Sequence, residues 1–192
     1  MQKVYRSLEF DRRPSIELKE RFPTLWPVDW GRITNMTVAY GHGIAVTPIH
    51  LASAYAALVN GGIWRPATLL KRNANEVPQG RRVFSAATSA RMRQLLRLIV
   101  MYGTGKTADA PGYRIGGKTG TAQLGTPDPK SHAWVIGFAG PAGQPAQVAV
   151  AVLVQGQPGA SEQTGGRVAA PIAKRVLEAA LAAPVQPGTA GR

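Results

Sequence analysis

Residues 114–123 hold the side chains of this sequence that are best suited to chemistry. Lys118 supplies a cation, and Thr119 and Thr121 supply two hydroxyl groups within the same short run. Side chains alternate between the two faces of a strand, so the threonines would share one face and Lys118 would lie on the other with Gly120. Hydroxyls can hold a carboxylate and an ammonium group can serve a proton-transfer network. The pattern therefore predicts a site for an acidic, peptide-like ligand.

Glycines surround these polar residues. The pair Gly116-Gly117 and Gly120 lack side chains at places where another backbone could approach the strand. The tripeptide Lys118-Thr119-Gly120 is a weak signal by itself, because so short a motif occurs by chance in many proteins. Its meaning depends on the elements around it.

Two other patterns could bind ligands, and neither meets the requirements. His42 and His50 have no third ligand at a suitable spacing, so a structural role is favoured for both and no metal is expected. The run from Gly103 to Thr107 ends in Gly-Lys-Thr, like a phosphate-binding P-loop. That motif needs an earlier glycine where this chain has Val100, and it needs a strand before the loop rather than a helix. ATP or GTP binding is therefore not expected.

Composition indicates one ordinary globular domain. The chain has 192 residues, of which 44% are hydrophobic and 17% charged. It has no cysteine, so a disulfide framework and a thiolate metal site are both excluded. The first residues lack the apolar core of a signal peptide, and no apolar run approaches the ~18 residues of a membrane span. The sequence therefore predicts no leader and no membrane span.

The strong positive charge raises the question of nucleic acid. The chain carries 23 Lys plus Arg against 10 Asp plus Glu, a formal net charge of +13. These basic residues are scattered in singles and pairs from Arg6 to Arg175, without interleaved aromatic residues or a nucleic-acid-binding motif. A solvated basic surface, or attraction to an anionic envelope surface, is favoured over nucleic acid as a partner.

Two helices are predicted before the polar strand. In the first, Thr47 is the N-cap and Pro48 the first helical residue, and the helix ends before Gly61-Gly62. In the second, Ser85 is the N-cap and the helix ends at Gly103. The predicted apolar stripes are Leu51, Ala52, Tyr55 and Leu58 in the first helix, and Met92, Leu95, Leu96, Ile99 and Val100 in the second. Arg91, Arg93 and Arg97 lie in the second half of the second helix, where its dipole favours cations.

The segments before and between these helices are less regular. Residues 1–33 show neither helical nor strand periodicity, so an irregular segment is expected, with Trp26 and Trp30 pinning it onto the domain. Residues 63–83 read as short extended pieces and a polar loop.

Two strands, a helix and a tail are predicted after the polar strand. A polar loop (125–131) leads to strands at 133–138 and 148–154, which a Gly/Pro turn joins as a hairpin or meander. Both strands are almost wholly apolar, so helices should cover both faces of their sheet. A helix follows from Val168 to Leu181, with the apolar set Ala169, Ile172, Ala173, Val176, Leu177, Ala180 and Leu181. Residues 184–192 are rich in Pro, Gly and Ala and are predicted to be a disordered tail.

The order of these motifs is more specific than any one of them. The chain reads Tyr-Gly-His-Gly-Ile-Ala-Val-Thr-Pro, a helix, Asn60-Gly61-Gly62, a second helix, Gly-Thr-Gly at residues 103–105, and Gly-Lys-Thr-Gly-Thr-Ala at residues 117–122. This series resembles the class B penicillin-binding proteins of the septal, cell-division type, which are serine D,D-transpeptidases that crosslink peptidoglycan. The likeness extends to His132-Ala133-Trp134 and to Gly-Gly-Arg-Val-Ala-Ala-Pro-Ile at residues 165–172.

The resemblance implies a fold and a set of roles. The fold would be α/β of the α+β type, β-lactamase/transpeptidase-like, with an antiparallel sheet and flanking helices over residues 1–183. Lys118 would match the lysine of the third signature motif, and Thr119 and Thr121 the hydroxyls that hold the carboxylate of a stem peptide or β-lactam. Lys118 and Thr121 would be catalytic residues, the backbone N–H of Thr121 being an oxyanion-hole donor, and Gly120 would join the substrate-binding set. The family uses no cofactor and acts at the outer face of the cytoplasmic membrane.

The sequence departs from the family at the nucleophile. The family's Ser-x-x-Lys and Ser-x-Asn motifs are both absent, since none of the seven serines is followed by lysine at the third position or by asparagine at the second. In the family both motifs precede the matching region, so the chain is expected to be an N-terminally truncated, C-terminal half of the domain. A lone half would be marginally stable and, having no activated serine, inactive by itself.

Two functions follow from this. One is the C-terminal portion of a D,D-transpeptidase domain that takes peptidoglycan stem peptides or β-lactams. The other is a non-catalytic binding or assembly module that docks onto a separate N-terminal half or onto division proteins.

Overall fold

Helices and strands occur throughout residues 1–124, 130–157 and 163–182, the parts of the chain that the computed structural model describes. The helices in these ranges are α1 (Gln2–Ser7), α2 (Arg32–Val38), α3 (Pro48–Val59), α4 (Ala86–Tyr102) and α5 (Ala170–Ala182). The strands are β1 (Ile63–Trp64), β2 (Arg81–Arg82), β3 (Tyr113–Leu124), β4 (Lys130–Pro141) and β5 (Val148–Val154). A 3₁₀ turn, Lys106–Ala108, precedes β3, and a π-helical turn, Gly165–Ala169, precedes α5. The predicted disordered tail, and most of the predicted loop after Leu124, lie outside the described residues.

The central sheet is an antiparallel meander in the order β3-β4-β5. Thr119 lies opposite Val135, which in turn lies opposite Val152. The predicted strand at 148–154 is confirmed, and the one predicted at 133–138 is longer than expected. Because β3 and β4 pair along twelve residues each, the polar segment of β3 is held in register over its whole length.

Apolar side chains cover both faces of this sheet. On one face Ile115, Ala133, Val135 and Ala139 pack against Ala169, Ala170, Ala173 and Leu177 at α5. On the other face Phe138 packs with Val59 of α3 and Leu96 of α4. The prediction that helices lie over both faces is confirmed, and so is the mixed α/β fold with an antiparallel sheet.

The first predicted helix begins where its capping residues indicate. Thr47 is the N-cap of α3 and Pro48 its first residue, and Thr47 and His50 form a reciprocal capping box. The predicted stripe is only partly buried, and Ala54 and Ala57 are the buried apolar side chains in the middle of the helix. The helix is covered on two sides, by the cluster that contains Leu8, Phe10 and Trp64 and by the cluster at Phe138. The single apolar stripe predicted for α3 is therefore incomplete, because the helix packs on two sides.

The stripes predicted for the other two helices are partly wrong. In α4, Leu96 and Val100 are buried as expected, but Leu95 is 48% exposed because α4 turns its inner side toward both α3 and β3. In α5, Ile172 and Val176 are also largely exposed. The face of α5 that meets the sheet consists of Ala170, Ala173, Leu177 and Leu181, so only a narrow arc of the helix is covered.

The N-terminal region is less irregular than predicted. Residues 2–7 form helix α1, which is too short to show a periodic pattern. Tertiary contacts hold it, since the ring centroids of Tyr5 and Phe10 lie 5.5 Å apart within the Trp64 cluster. The predicted pinning is confirmed for Trp26, which packs against the cluster that contains Ala57 and Trp64. Trp30 contacts Trp26 within the same segment, with the ring centroids 4.7 Å apart and the planes tilted by 46°. No helix among the described residues is long and apolar enough to cross a membrane.

Candidate functional site

The four residues predicted to form the site lie consecutively on β3. Lys118, Thr119, Gly120 and Thr121 pair with Ile136, Val135, Trp134 and Ala133 of β4. The register places Thr119 and Thr121 on the α5 side of the sheet, where Val135 and Ala133 also point. Lys118 and Gly120 lie on the α4 side with Ile136 and Trp134. The predicted alternation of hydroxyl and ammonium groups therefore holds.

The open edge of the sheet is the side of β3 that faces away from β4. The N–H of Ala142 donates to the carbonyl of Gly112 (3.0 Å), and the N–H of Gln147 donates to the carbonyl of Ala139 (2.8 Å). In an antiparallel ladder, backbone groups alternate between facing the partner and facing away. The first bond shows that Gly112, just before β3, faces the β4 side. Every second residue from there, which means the even-numbered residues of β3, therefore bonds to β4. The N–H and C=O groups of Thr119 and Thr121 therefore face outward.

Lys118 lies at this open edge. Its side chain is exposed, and Nζ donates to the carbonyl oxygen of Thr119 at 2.6 Å. That carbonyl is one of the outward-facing groups, so the ammonium group lies beside the edge. A cation and outward backbone N–H groups together favour an anionic ligand with an extended backbone.

The two threonines of the site differ in their surroundings. Thr119 is half-buried, and its Oγ1 lies 2.6 Å from Oγ1 of Thr104, in the loop that follows α4. Thr121 is exposed. Residues two apart on a strand lie about 6.7 Å apart, so one carboxylate placed between their side chains could reach both hydroxyls. That shared contact with one carboxylate stays a prediction.

Two glycines before α5 pack directly against the site. A Cβ on Gly165 would lie 2.2 Å from the carbonyl oxygen of Trp134 and 2.6 Å from that of Gly120. A Cβ on Gly166 would lie 2.4 Å from the carbonyl oxygen of Thr104. The hydroxyl of Thr107 donates to the carbonyl of Gly166 at 2.5 Å. The loop after α4 and the turn before α5 thus meet at β3.

Sequence reasoning missed Thr104 and Thr107 as neighbours of the site. The available signal was the pair Gly165-Gly166 directly before a helix, since adjacent glycines often mark a close approach of two backbones. Nothing in the sequence pairs that turn with the loop after α4. Only the folded chain brings them together.

The glycine pair at the start of the segment has the predicted effect. A Cβ on Gly116 would lie 2.5 Å from Cζ of Phe138 and 3.1 Å from the backbone nitrogen of Arg97. A Cβ on Gly117 would lie 2.7 Å from the carbonyl oxygen of Ile136. The missing side chain of Gly116 lets α4 cross β3 at close range, and that of Gly117 leaves room for the backbone of β4.

The helix-dipole explanation is wrong for Arg91 and Arg93, which lie in the first half of α4, and for Arg97 it left out a specific partner. The guanidinium group of Arg97 forms a two-point contact with the carboxylate of Asp109, with Nη1 to Oδ1 at 2.6 Å and Nη2 to Oδ2 at 3.2 Å. Nη1 also donates to the carbonyl of Ile115 at 2.9 Å. Arg93 likewise donates to the carbonyl of Val59 at 2.7 Å. These arginines link α4 to β3 and to α3.

The histidines lie apart from this site. Nε2 of His50 is 3.0 Å from the carbonyl oxygen of Arg12, and Nδ1 is 2.8 Å from Oγ1 of Thr47, so His50 has the predicted structural role. His42 is exposed, and its ring stacks loosely on Tyr40. Among the described residues, no group of three or more His, Asp or Glu side chains could hold a metal ion.

Residues 103–107 lie between a helix and a strand, in the order helix, loop, strand that was predicted and that differs from a P-loop. They follow helix α4 and lead through the turn Lys106–Ala108 into strand β3. A P-loop instead follows a strand and starts a helix.

Comparison with known proteins identifies a single family. A family model described as the penicillin-binding protein transpeptidase domain matches residues 1–178. The probable peptidoglycan D,D-transpeptidase FtsI of Caulobacter vibrioides is 35% identical over 193 residues, which cover 93% of this chain and 33% of that protein. The chain therefore spans about a third of the length of that curated relative.

Solved structures agree with the sequence comparison. The TP domain of penicillin-binding protein 3 from Burkholderia pseudomallei, in its apo form, matches with a TM-score of 0.81 and 33% identity over 92% of this chain and 55% of that one. Penicillin-binding protein A from Mycobacterium tuberculosis, solved as a ceftriaxone acyl-enzyme complex, matches with a TM-score of 0.76 and 31% identity over 93% of this chain and 42% of that one.

Proposed function

The chain belongs to the family of penicillin-binding protein transpeptidase domains, and from that premise we propose that it supplies the substrate-binding strand of a D,D-transpeptidase. The enzyme would crosslink peptidoglycan stem peptides at the outer face of the cytoplasmic membrane and would bind β-lactams. The observation that carries this proposal is the placement of Lys118, Thr119 and Thr121 at the open edge of β3. No cofactor is needed for this chemistry.

Each residue of the site has a distinct part in the proposed reaction. The hydroxyls of Thr119 and Thr121 hold the terminal carboxylate of the stem peptide or the carboxylate of a β-lactam. The ammonium group of Lys118 offsets negative charge and completes a proton-transfer network. The outward N–H of Thr121 donates to the oxyanion that forms when the scissile carbonyl is attacked. Because β3 is held in register by β4, these donors are in place before the reaction begins.

Gly120 makes room for the substrate. Among the described residues, a Cβ at this position would contact only Cβ of Trp134, at 3.4 Å. An extended peptide could lie along the outward backbone groups of β3 as an added strand.

The nucleophile must come from outside these 192 residues. Acyl transfer needs an activated serine, and the sequence contains neither Ser-x-x-Lys nor Ser-x-Asn. We propose that another segment of polypeptide places its serine beside the open edge of β3. Residues 1–192 then provide binding and oxyanion stabilisation without the bond-forming step.

A carboxylate-dependent titration tests the binding half of this proposal. The ¹⁵N-labelled chain is titrated with an N-acylated peptide ending in D-alanyl-D-alanine, and separately with the same peptide ending in a carboxamide. We expect saturable shifts of the backbone amides of Thr119 and Thr121 with the acid only, because the hydroxyls and Lys118 recognise the carboxylate. Lys118→Ala should weaken these shifts. Equal shifts with acid and amide would reject the site.

Intact-mass analysis tests the missing nucleophile. After incubation with penicillin, the chain should keep its unmodified mass, because no serine has a lysine partner at the required spacing. The matched control is a protein that joins a Ser-x-x-Lys segment to these residues, which should gain one penicilloyl group. A stoichiometric adduct on any serine of the chain itself would contradict the proposal.

A non-catalytic assembly role is the second candidate, and exposed apolar side chains favour it. Phe22, Ile33 and Tyr40 are 76%, 78% and 75% exposed; Phe22 precedes α2, Ile33 lies in α2, and Tyr40 lies in the connection between α2 and α3. Such a surface suits docking onto a separate half of the domain or onto a division protein. Fluorescent penicillin distinguishes the two roles, because an assembly module stays unlabelled even after a Ser-x-x-Lys segment has been joined to it.

A further inference from the structure

We propose that Thr104 is a positioning residue, whose hydroxyl group donates to Oγ1 of Thr119 and thereby directs the proton of Thr119 toward a bound carboxylate. This rests on the proposed function of β3. Thr104 lies outside the motif on β3, in the loop between α4 and the turn Lys106–Ala108. Its Oγ1 lies 2.6 Å from Oγ1 of Thr119.

The loop that carries Thr104 is firmly held. The N–H groups of Gly103 and Gly105 both donate to the carbonyl of Ile99, at 2.9 and 3.2 Å. On its other side the carbonyl of Thr104 abuts Gly166, where a Cβ would come within 2.4 Å. A backbone fixed on both sides gives the hydroxyl of Thr104 a defined position beside β3.

The direction of the hydroxyl contact follows from the chemistry of the ligand. A hydroxyl group donates one hydrogen bond and accepts up to two, whereas a carboxylate only accepts. If Thr119 donated to Thr104, it would have no proton left for the ligand. With Thr104 as the donor, Thr119 accepts one bond and donates the next, and each bond polarises the other. A bound carboxylate therefore selects the arrangement in which Thr104 donates to Thr119.

The side chain that anchors this loop to the rest of the fold is Thr107, not Thr104. Thr107 donates to the carbonyl of Gly166 at 2.5 Å and so ties the loop to the turn before α5. Thr104 and Thr107 are both exposed threonines of one loop, and only Thr104 contacts Thr119 through its hydroxyl. Thr107→Val is thus a matched control for Thr104→Val.

The test compares the parent chain with Thr104→Val, Thr104→Ser and Thr107→Val. Three-bond NMR couplings report the χ1 rotamer of Thr119 in the free protein. We expect one rotamer in the parent, in Thr104→Ser and in Thr107→Val, and averaged couplings in Thr104→Val. In titrations with the D-alanyl-D-alanine peptide, Thr104→Val should bind about fivefold more weakly, the size of one net hydrogen bond, and Thr104→Ser should restore the affinity.

The outcomes separate this inference from the proposed function. If Thr104→Val keeps the Thr119 couplings, or keeps the peptide affinity within about twofold of the parent, the positioning role is overturned. If Thr107→Val has the same effects as Thr104→Val, the contact is merely structural and the inference is again overturned. If the parent itself binds no peptide, the proposed function fails, and the couplings of the free protein alone then decide whether Thr104 positions Thr119.

Discussion

Single residues of the site have little part in holding the fold together. The ammonium group of Lys118 is exposed and bonds to the carbonyl of its own neighbour in the chain. Exposed polar contacts of this kind add little to stability. Ala170, by contrast, has no exposed surface and packs between α5 and the sheet. Function and stability should therefore respond to different substitutions.

Lys118→Ala should slow acylation without unfolding the protein. When a segment with Ser-x-x-Lys and Ser-x-Asn is supplied in cis, we expect the acylation rate by a penicillin to fall about a hundredfold, or ~3 kcal/mol, because a preorganised charge acts mainly in the transition state. Stopped-flow acylation measures the rate, and urea titration should show the free energy of unfolding within about 0.5 kcal/mol of the parent.

Ala170→Asp should have the opposite effect to Lys118→Ala, because it should change stability rather than the site. A carboxylate forced between α5 and the sheet should lower the free energy of unfolding by several kcal/mol, because it would be buried in an apolar cluster. Ala173, equally buried, offers a second test of the same kind.

If Lys118→Ala kept acylation within about threefold of the parent, a barrier change under ~0.7 kcal/mol, the assignment of Lys118 would be wrong even with the fold correct.

At the level of secondary structure, the contact between α4 and β3 positions the site. Gly116 lets the backbone of α4 pass close to the strand, and Arg97 then reaches the carbonyl of Ile115. That carbonyl belongs to the open edge of β3, three residues before Lys118. Asp109 holds the same guanidinium group from the connection between α4 and β3. The start of the polar segment is therefore fixed by a helix that carries none of the proposed catalytic residues.

Arg97→Met should loosen this end of β3. Methionine keeps the aliphatic stem but removes the bonds to Asp109 and Ile115, so we expect a loss of roughly 1.5 to 3 kcal/mol in the free energy of unfolding. Hydrogen exchange should also quicken at the amides of residues 113–117. Asp109→Asn should cost less, because Arg97 can still bond to Ile115. A change below about 0.5 kcal/mol in Arg97→Met would mean that the ion pair behaves as an ordinary surface pair.

Across the whole molecule, His50 links the N-terminal region to α3. Nε2 faces a carbonyl, that of Arg12, so this nitrogen carries the proton and donates. Nδ1 is then free to accept from Thr47 at the N-cap. Burial lowers the pKa of His50 below its usual 6.5, against smaller opposing effects of the bond to the Arg12 carbonyl and of the Glu9 carboxylate. The folded protein therefore favours the neutral ring.

The link through His50 should make stability depend on pH. The unfolded chain binds a proton near pH 6.5 and the folded chain only at lower pH, so this contribution is full above 6.5 and is lost as the pH falls toward the lowered folded pKa. Urea unfolding between about pH 5 and 8 measures it. His50→Gln should flatten this part of the profile. An unchanged slope in His50→Gln would exclude the effect.

The sequence alone determined where two of the helices begin and which residues form the polar strand. Thr47 and Ser85 start their helices as predicted, and Ser85 Oγ accepts from the N–H of Thr88 at 3.0 Å. The polar segment of β3 and its alternation also followed from the sequence. These features depend on residues a few positions apart, so local capping chemistry and side-chain periodicity are enough to predict them.

Only the tertiary structure decided what surrounds the site. Thr104 and Thr119 are 15 residues apart in the chain, and Thr107 and Gly166 are 59 apart. Helix α1 and the two-point contact between Arg97 and Asp109 were missed for the same reason. Such contacts depend on how preformed elements pack, and packing depends on the shapes of many distant side chains together. Local pattern thus defined the strand and its polar side chains, while packing determined which groups hold them in place.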